Sequence, residues 1–514
     1  MSVNATASDI TVVNTYVTGG QQDAAIAALS DGGWVATWMS WDQDGSAGGI
    51  YQQRFDASGI AVGGEIQVNT TTESFQQEQS VSGLEDGGWV VSWSSYSVDG
   101  DVFGINSQRY DSSGNVVGTE VLVNTFTTGS QTSSSVTGLS DGGYVVSWAS
   151  PVANGLEVML QRFGADGIAA GDETRLNATT QYYQLSQSIA ALPDGGYVAT
   201  WMSQSQDGDD YGIFQQIYDD AGNALTGSES LVNTYTVNRQ SDPDVAVLAD
   251  GGWVVTWESE GQDGASGGVY MQHFGSDGMA LGSETQVNSV TADDQGPAVI
   301  AALADGGWVV TWESSGQDGG SENVYQQLYD SDGKRVGGET QVNATQTNDQ
   351  GSPVVTALAD GGWLVAWTST GQDGFSDGVY QRRYDADGNT SGSDIRVNQT
   401  TTESQWDAAV TGLADGGWLV TWTSLQNHTD NDVYQQRYDA DGTAIGSEQR
   451  VNAYVTSTQY QASTAALADG GWVVTYTSYE GVDADIYQQR YNADGVAVGG
   501  AAVVNLHITG QQVS

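Results

Sequence analysis

The sequence predicts an all-β protein of nine tandem four-stranded antiparallel units that form a β-propeller. Asp-Gly-Gly followed by Trp or Tyr occurs nine times, beginning at Asp31, Asp86, Asp141, Asp194, Asp250, Asp305, Asp360, Asp415 and Asp469. Successive copies are 53 to 56 residues apart, which is the regular period of a repeat array. With 69 Gly and only 5 Pro, the chain also has the composition of a fold with many tight turns.

The sixth unit shows how each repeat builds four strands. Residues 298–303 are an apolar run that enters the Asp-Gly-Gly turn, and residues 308–312 read Trp-Val-Val-Thr-Trp. An Asp-Gly turn between two such runs predicts a β-hairpin, because glycine adopts positive φ at little cost. Residues 324–329 form a third strand, and an Asp-Ser-Asp-Gly turn leads into a fourth that ends at Asn343. Large side chains on both faces of the second strand indicate a sheet packed between two neighbours.

Small residues in the first strand favour a propeller, where that strand lines the crowded centre. Nine blades exceed the usual range of about four to eight, so a closed nine-bladed ring is the preferred architecture and an open arc is the alternative. Residues 1–514 form one repeat domain, with a surplus N-terminal strand in residues 1–14 and a tail in residues 506–514. The predicted units are residues 15–69, 70–124, 125–177, 178–233, 234–288, 289–343, 344–398, 399–452 and 453–505.

The charge of the chain restricts its partners. There are 13 Lys and Arg against 64 Asp and Glu, a formal net charge of −51. Nucleic acids and anionic membranes bind clustered positive charge, so neither is expected as a partner. No apolar run approaches the length of a membrane-spanning helix, so insertion into a membrane is not expected either. The partners that the charge still permits are glycans or other neutral polymers, cations and further copies of the chain.

Two sets of recurring side chains have a structural interpretation. Arg recurs near the end of the third strand and is expected to pair with a nearby carboxylate. Asn at the end of each unit is followed seven residues later by Gln, as in Asn69 and Gln76. We expect these amides to satisfy backbone groups where the chain crosses to the next unit.

Aspartates in the loop between the second and third strands are the candidate metal ligands. Carboxylates two residues apart can converge on one Ca²⁺ ion, with carbonyl and water oxygens completing the shell. Turn formation by Asp and Gly is the alternative explanation. The candidates are Asp42, Asp44, Asp99, Asp101, Asp207, Asp209, Asp210, Asp430, Asp432, Asp483 and Asp485.

The amino-acid sequence shows no evident set of catalytic residues. The three His residues are far apart, Cys is absent, and no unit shows a unique acidic cluster that breaks the repeat. We therefore predict that the chain is not an enzyme. Trp41 and Trp406 lie outside the repeated Trp positions, one in an acidic loop and one in a junction. An exposed aromatic ring at such a place could stack on a sugar, so both are candidate ligand residues.

The repeat resembles one found in large secreted bacterial surface proteins of the haemolysin-associated type. The resemblance rests on Asp-Gly-Gly-Trp-Val-Val-Thr-Trp at residues 250–257 and on Tyr-Gln-Gln-Arg-Tyr-Asp-Ala-Asp-Gly at residues 434–442, and it covers essentially the whole chain. It implies an extracellular or cell-surface location. Residues 1–6 lack the pattern of a cleaved signal peptide, so type I export is the expected route.

These observations together predict an extracellular or cell-surface protein that binds glycans or copies of itself through its loops in an adhesive role. A structural building block of a filament, sheath or surface layer is the alternative. Residues 1–20 or 500–514 are the segments expected to mediate self-association, because a surplus apolar strand is a template for pairing between chains.

Overall fold

The computed structural model describes residues 21–503, except 58–59, 153–154, 178–181, 226–228, 318–320, 391, 427–429, 453–457 and 480–483. This part of the chain is all-β and contains no helix. Each repeat folds into four strands, which we call a blade, and the blades have a propeller-like arrangement, so the predicted fold class is confirmed. The predicted surplus strand in residues 1–14 and the tail in residues 506–514 lie outside the described residues.

The strands of blades 1 to 3 are β1 Gln21–Ala28, β2 Trp34–Trp41, β3 Gly48–Phe55, β4 Ala61–Gln67, β5 Gln76–Gly83, β6 Trp89–Tyr96, β7 Phe103–Tyr110, β8 Val116–Leu122, β9 Thr132–Gly138, β10 Tyr144–Val152, β11 Gly155–Phe163 and β12 Thr174–Arg175. Those of blades 4 to 6 are β13 Tyr182–Ala191, β14 Tyr197–Gln204, β15 Tyr211–Tyr218, β16 Ser230–Leu231, β17 Gln240–Val247, β18 Trp253–Glu260, β19 Gly267–Phe274, β20 Thr285–Gln286, β21 Gln295–Ala302, β22 Trp308–Ser314, β23 Asn323–Tyr329 and β24 Arg335–Gln341. Those of blades 7 to 9 are β25 Gln350–Ala357, β26 Trp363–Thr370, β27 Asp377–Tyr384, β28 Ile395–Arg396, β29 Gln405–Gly412, β30 Trp418–Ser424, β31 Asp432–Tyr438, β32 Ala444–Arg450, β33 Gln459–Ala466, β34 Trp472–Tyr479, β35 Ala484–Tyr491 and β36 Ala497–Val503.

Strands within a blade follow one another in sequence order and pair antiparallel, as a meander. In blade 6 the second and third strands pair Trp308 with Tyr329 and Trp312 with Tyr325, and the rings of each pair stack. Blades 3 and 4 share one sheet, because β11 pairs in parallel with β13.

The chain divides into two compact regions, one of Met1–Val136, Thr421–Gln435 and Gln449–Ser514, the other of Thr137–Val420 and Gln436–Glu448. In the first region, blade 9 packs against blade 1. Trp34 is buried against Leu467 and Val473, and its Nε1–H donates to Gln488 Oε1 at 3.0 Å. In the second region, Trp253 and Trp363 donate in the same way to Gln residues of the preceding blades. These three Trp residues, each following an Asp-Gly-Gly turn, thus belong to cores between adjacent blades.

The Asp-Gly-Gly turn has a steric reason for both glycines. Gly32 has φ of 83°, a conformation that glycine adopts readily. A Cβ at Gly33 would lie 2.3 Å from the carbonyl oxygen of Phe55. Asp31 Oδ1 accepts the N–H of Gly33, and Asp31 Oδ2 accepts from Arg54 of the same blade. The same ion pair recurs in five other blades, which confirms the predicted pairing of these arginines: Arg109–Asp86, Arg162–Asp141, Arg383–Asp360, Arg437–Asp415 and Arg490–Asp469.

The Asn and Gln of the junction between blades 1 and 2 have the predicted structural role. Asn69 Oδ1 accepts the N–H of Ile50 at 2.7 Å, and Asn69 Nδ2 donates to Gln76 Oε1 at 3.0 Å. Both amides are buried. A buried backbone N–H without a partner is costly, so the pair stabilises the crossing of the chain between blades.

Candidate functional site

One edge of each blade gathers the end of the second strand, the start of the third strand and the start of the following first strand. The loops that carry the predicted metal ligands lie at this edge, as do the junctions between blades. The opposite edge carries the Asp-Gly-Gly turns and the turns between the third and fourth strands. The candidate site residues therefore lie at the first edge.

The acidic loops of blades 1 and 2 use their carboxylates to fix the loop. Asp44 Oδ1 accepts the N–H of Ser46 at 3.0 Å, while Asp42 is exposed with φ of 59°. Asp99 accepts the N–H of Asp101 at 3.2 Å and the side-chain amide of Asn124 at 3.0 Å. Asp101 in turn accepts the N–H of Gly129 at 2.9 Å. The contacts to Ser46 and Asp101 are those of turn-forming aspartates, and the contacts to Asn124 and Gly129 join the loop of blade 2 to the following junction.

The loop of blade 4 is built in the same way. Asp207 accepts the N–H of Asp209 at 3.4 Å and the side-chain amide of Asn233 at 3.4 Å, and burial raises the pKa of Asp207. Asp209 accepts the N–H of Asn238 at 3.0 Å, and Asp210 is exposed.

In blade 8, Asp432 is buried and accepts from Asn452, and Asp430 is half-buried. Asp483 and the side chain of Asp485 lie outside the described residues. In the part of the chain that the structure describes, no three Asp, Glu or His side chains are grouped so that they could hold a metal ion.

The two candidate aromatic residues lie at the same edge but in different surroundings. Trp41 is half-buried, and its ring is 4.9 Å from that of Phe75, so it packs against the junction to blade 2. Trp406 is half-buried at the second position of β29.

Two glutamates at this edge break the repeat. The residue after the second core aromatic of the second strand is Glu258 in blade 5 and Glu313 in blade 6. In the other blades this position holds Met39, Ser94, Ala149, Met202, Thr368, Thr423 and Thr477. Glu258 and Glu313 are both half-buried, so each needs either a partner or a proton.

The two glutamates differ because the following first strands differ. Glu313 accepts the N–H of Ser352, the third residue of the next first strand. The equivalent residue for Glu258 is Pro297, which has no N–H to donate. Among the described residues, no group donates a hydrogen bond to the Glu258 carboxyl. Pro297 thus leaves Glu258 half-buried and without the partner that Glu313 has.

A second carboxylate lies beside Glu258. Asp294 is exposed, and its Oδ1 accepts the N–H of Gly267 at 2.7 Å. The Cβ position of Gly267 is 2.6 Å from Glu258 Oε1 and 2.6 Å from Asp294 Oδ1, so these two oxygens are separated by no more than twice that distance. Only glycine leaves room for both carboxyl groups. Burial, then the charges of Asp294 and Asp242, raise the pKa of Glu258 to about 7.

The acidic surface continues into blade 6. Burial and the charges of Glu313, Asp349 and Asp294 raise the pKa of Glu322. Around neutral pH this surface therefore offers a protonated or partly protonated Glu258 next to the Asp294 carboxylate. Such a pair can give a proton at one carboxyl group and stabilise positive charge, or attack, at the other.

The sequence contained the signal for this pair, but it lay in a strand. The acidic loops carry the more obvious clusters of carboxylates, whereas Glu258 is the sixth residue of β18. Alignment of the second strands would have shown Glu258 and Glu313 as departures from the repeat. The Pro at position 297 would have shown that only Glu258 lacks a backbone partner.

No protein-family model matches the chain, and no curated protein matches it. Solved structures with a similar fold include a eukaryotic initiation factor, with a TM-score of 0.48, 10% identity and coverage of 86% of this chain and 90% of that chain. The β-propeller domain of the Trilobed protease from Pyrococcus furiosus has a TM-score of 0.36 and 10% identity over 69% of this chain and 94% of that chain. A polysaccharide lyase has a TM-score of 0.37 and 9% identity over 82% of this chain and 88% of that chain. These likenesses concern the fold alone.

The prediction that the chain is not an enzyme is wrong. Two α-L-arabinofuranosidases and a family-43 glycoside hydrolase are among the matched structures, together with the lyase. The prediction also rested on the premise that no unit shows a unique acidic cluster, and Glu258 contradicts this premise.

Among the residues that the structure describes, no helix has the length and apolar character needed to span a membrane.

Proposed function

We propose that this chain is an extracellular protein that binds neutral glycans and cleaves them, with Glu258 as the proton donor and Asp294 as its paired carboxylate. The observation that carries the proposal is the close approach of these two carboxyl groups over Gly267. Glycosidic bonds are cleaved by pairs of this kind, one carboxyl group with a raised pKa and one ionised.

The roles follow from the surroundings of the two side chains. Glu258 has no hydrogen-bond donor among the described residues and a pKa of about 7, so it holds a proton that it can give to the departing oxygen. Asp294 is exposed and held by the N–H of Gly267, which leaves its other oxygen free to face a sugar. Carboxyl groups about 5–5.5 Å apart are typical of glycosidases that retain the configuration at the anomeric carbon. The upper limit on the distance between the Glu258 and Asp294 oxygens at Gly267 favours retention of configuration, in which Asp294 is the nucleophile.

The charge of the protein supports a neutral substrate. With a net charge of −51, the surface repels acidic polysaccharides and nucleic acids. The matched arabinofuranosidases and the polysaccharide lyase act on sugar polymers, which is consistent with this substrate class and with a place outside the cell.

Adhesion to a glycan at the same edge of the blades is the second proposal, and Trp406 supports it as a half-exposed aromatic residue at a junction. Stabilisation of the acidic loops by calcium, and self-association through the terminal segments, are proposals that stand on the sequence: they rest on the excess of Asp and on the surplus strand.

The experiment is a cleavage assay on a panel of neutral polysaccharides, such as arabinan, xylan, mannan and β-glucan, with release of reducing ends as the signal. The wild-type chain should release them from at least one polymer, and Glu258→Gln should lower the rate by about 100-fold or more. Glu313→Gln is the matched control, because it changes the same repeat position one blade away and should keep most of the activity. Absence of release from every polymer, or equal rates for the two variants, would overturn the proposal.

A further inference from the structure

Two cavities lie at the same place in two blades, away from the carboxylate pair. The first, of about 200 Å³, lies between the fourth strand of blade 1 and blade 2. The second, of about 190 Å³, lies between the fourth strand of blade 6 and blade 7. Each of the lining residues of the first has its counterpart at the same repeat position in the second. The same cavity thus forms at the same repeat position in two blades.

Glycine creates the space. The fourth strand carries Gly63-Gly64 at one cavity and Gly337-Gly338 at the other, and a Cβ at any of the four would meet nothing within 4 Å. The positions equivalent to Gly64 in other blades carry side chains, among them Thr119, Ser283 and Ser447. The two cavities therefore lie where blades 1 and 6 lack a side chain that blades 2, 5 and 8 carry.

The floor of the first cavity holds an unsatisfied donor. Gln52 is 1% exposed, and its Oε1 accepts the Nε1–H of Trp89 at 2.8 Å. This contact fixes the orientation of the amide, and Gln52 Nε2 has no hydrogen-bond partner. In the second cavity Gln326 Oε1 accepts from Trp363 at 2.9 Å in the same way. A buried amide that lacks an acceptor is stabilised by any ligand that brings one.

Apolar side chains line the solvent-exposed opening of both cavities. Val62 and Ile66 are 37% and 40% exposed at the first cavity, and Val336 is 42% exposed at the second. In addition, Arg54 lines the first cavity with an Nε that is buried and unpaired, while Leu328 takes its place in the second. A fitting ligand therefore has oxygen acceptors on one side and C–H surface on the other.

The size of the cavities and the net charge of the protein further restrict the class of ligand. Both cavities are smaller than the roughly 300–1,000 Å³ of a pocket for a drug-sized molecule, and both are open to solvent. One small ring fits, and its continuation leaves through the open side. The net charge of −51 disfavours an anionic ring.

We propose that the Gly63-Gly64 and Gly337-Gly338 cavities are two equivalent binding sites, each for one neutral sugar residue of a glycan chain. This inference rests on the substrate class of the proposed function, but not on the carboxylate pair. Gln52 or Gln326 donates to a ring or hydroxyl oxygen at the floor, and the apolar residues at the mouth pack against the C–H face of the sugar.

The test is isothermal titration of the full-length Glu258→Gln variant, which binds without cleavage, with neutral arabino-, xylo-, gluco-, galacto- and manno-oligosaccharides. At least one should bind with a stoichiometry of two. Gly64→Thr or Gly338→Thr should each lower the stoichiometry to one, and the double variant should lose binding by at least tenfold. Thr is tolerated here because Gly64 and Gly338 do not have positive φ and blade 2 carries Thr119.

Ser447→Thr is the matched control, because it enlarges a side chain at the same repeat position of blade 8 and should leave binding unchanged. Binding that survives in the double variant, or no binding of any oligosaccharide, would overturn the inference. The two proposals fail separately: cleavage by a chain whose cavities bind nothing contradicts only the cavities, and binding without cleavage by the wild-type chain contradicts only the carboxylate pair.

Discussion

Glu258→Gln should make the protein more stable at neutral and alkaline pH, although it removes a proposed catalytic residue. The pKa of Glu258 is raised from 4.5 to about 7. Between these values the folded chain keeps a proton that the unfolded chain releases, so the free energy of unfolding falls as pH rises through this window. A neutral Gln avoids the cost of ionising a half-buried carboxyl group next to Asp294.

The size of the effect follows from the same difference. At about 1.4 kcal/mol per pH unit, the raised pKa corresponds to about 3 kcal/mol. Water still reaches the half-buried Glu258 and screens its charge, which lowers the expected gain to about 1–2 kcal/mol above pH 7. At pH 5 the gain should be a small part of this, because Glu258 is protonated in the folded wild-type chain.

Urea unfolding followed by Trp fluorescence between pH 5 and 8.5 measures this gain. Glu313→Gln is the matched control, because Glu313 occupies the same repeat position in blade 6 and accepts the N–H of Ser352. A constant difference between wild type and Glu258→Gln across this range would refute the account of the Glu258 environment.

Three other outcomes are expected. Pro297→Ser supplies the N–H that Glu258 lacks, so it should lower the pKa of Glu258 and move any alkaline loss of activity to lower pH; an unchanged pH–rate profile would contradict the role of Pro297. Gly33→Ala should destabilise the fold by about 1–3 kcal/mol, because its Cβ would overlap the carbonyl oxygen of Phe55, whereas Gly64→Ala should cost little; equal losses in urea unfolding would contradict the steric argument. Calcium should raise the melting temperature by several degrees over that in chelator if it binds the acidic loops, and identical melting curves would exclude this.

The sequence was sufficient to predict the four-stranded blades because the same pattern of turns and core residues occurs in nine repeats. Asp-Gly-Gly and the alternating core residues predict one local structure, and Asn69 with Gln76 adopts the predicted contact. The junction amides still vary, since Gln350 accepts from Trp367. The acidic loops were ambiguous, since Asp serves turns and metal ions equally well. Asp44 and Asp99 accept N–H groups of their own loops, a choice that depends on loop geometry the sequence does not specify.

The candidate site could not be predicted because it depends on residues far apart in the repeat. Glu258, Gly267, Asp294 and Pro297 come from a second strand, a third strand, a junction and the next first strand. Each alone is an ordinary variation on the repeat. Only the packing of blade 6 against blade 5 brings the two carboxyl groups together and places Pro297 where blade 7 has Ser352.

The proposed chemistry requires that Glu258 holds its proton near neutral pH beside Asp294. This is measured by ¹³C NMR titration of the side-chain carboxyl groups in glutamate-labelled protein, with Glu258→Gln to assign the resonance. One glutamate resonance should titrate with a midpoint at about 7 and disappear in the variant. A Glu258 resonance that titrates near the ordinary 4.5 would contradict the proposed role of Glu258.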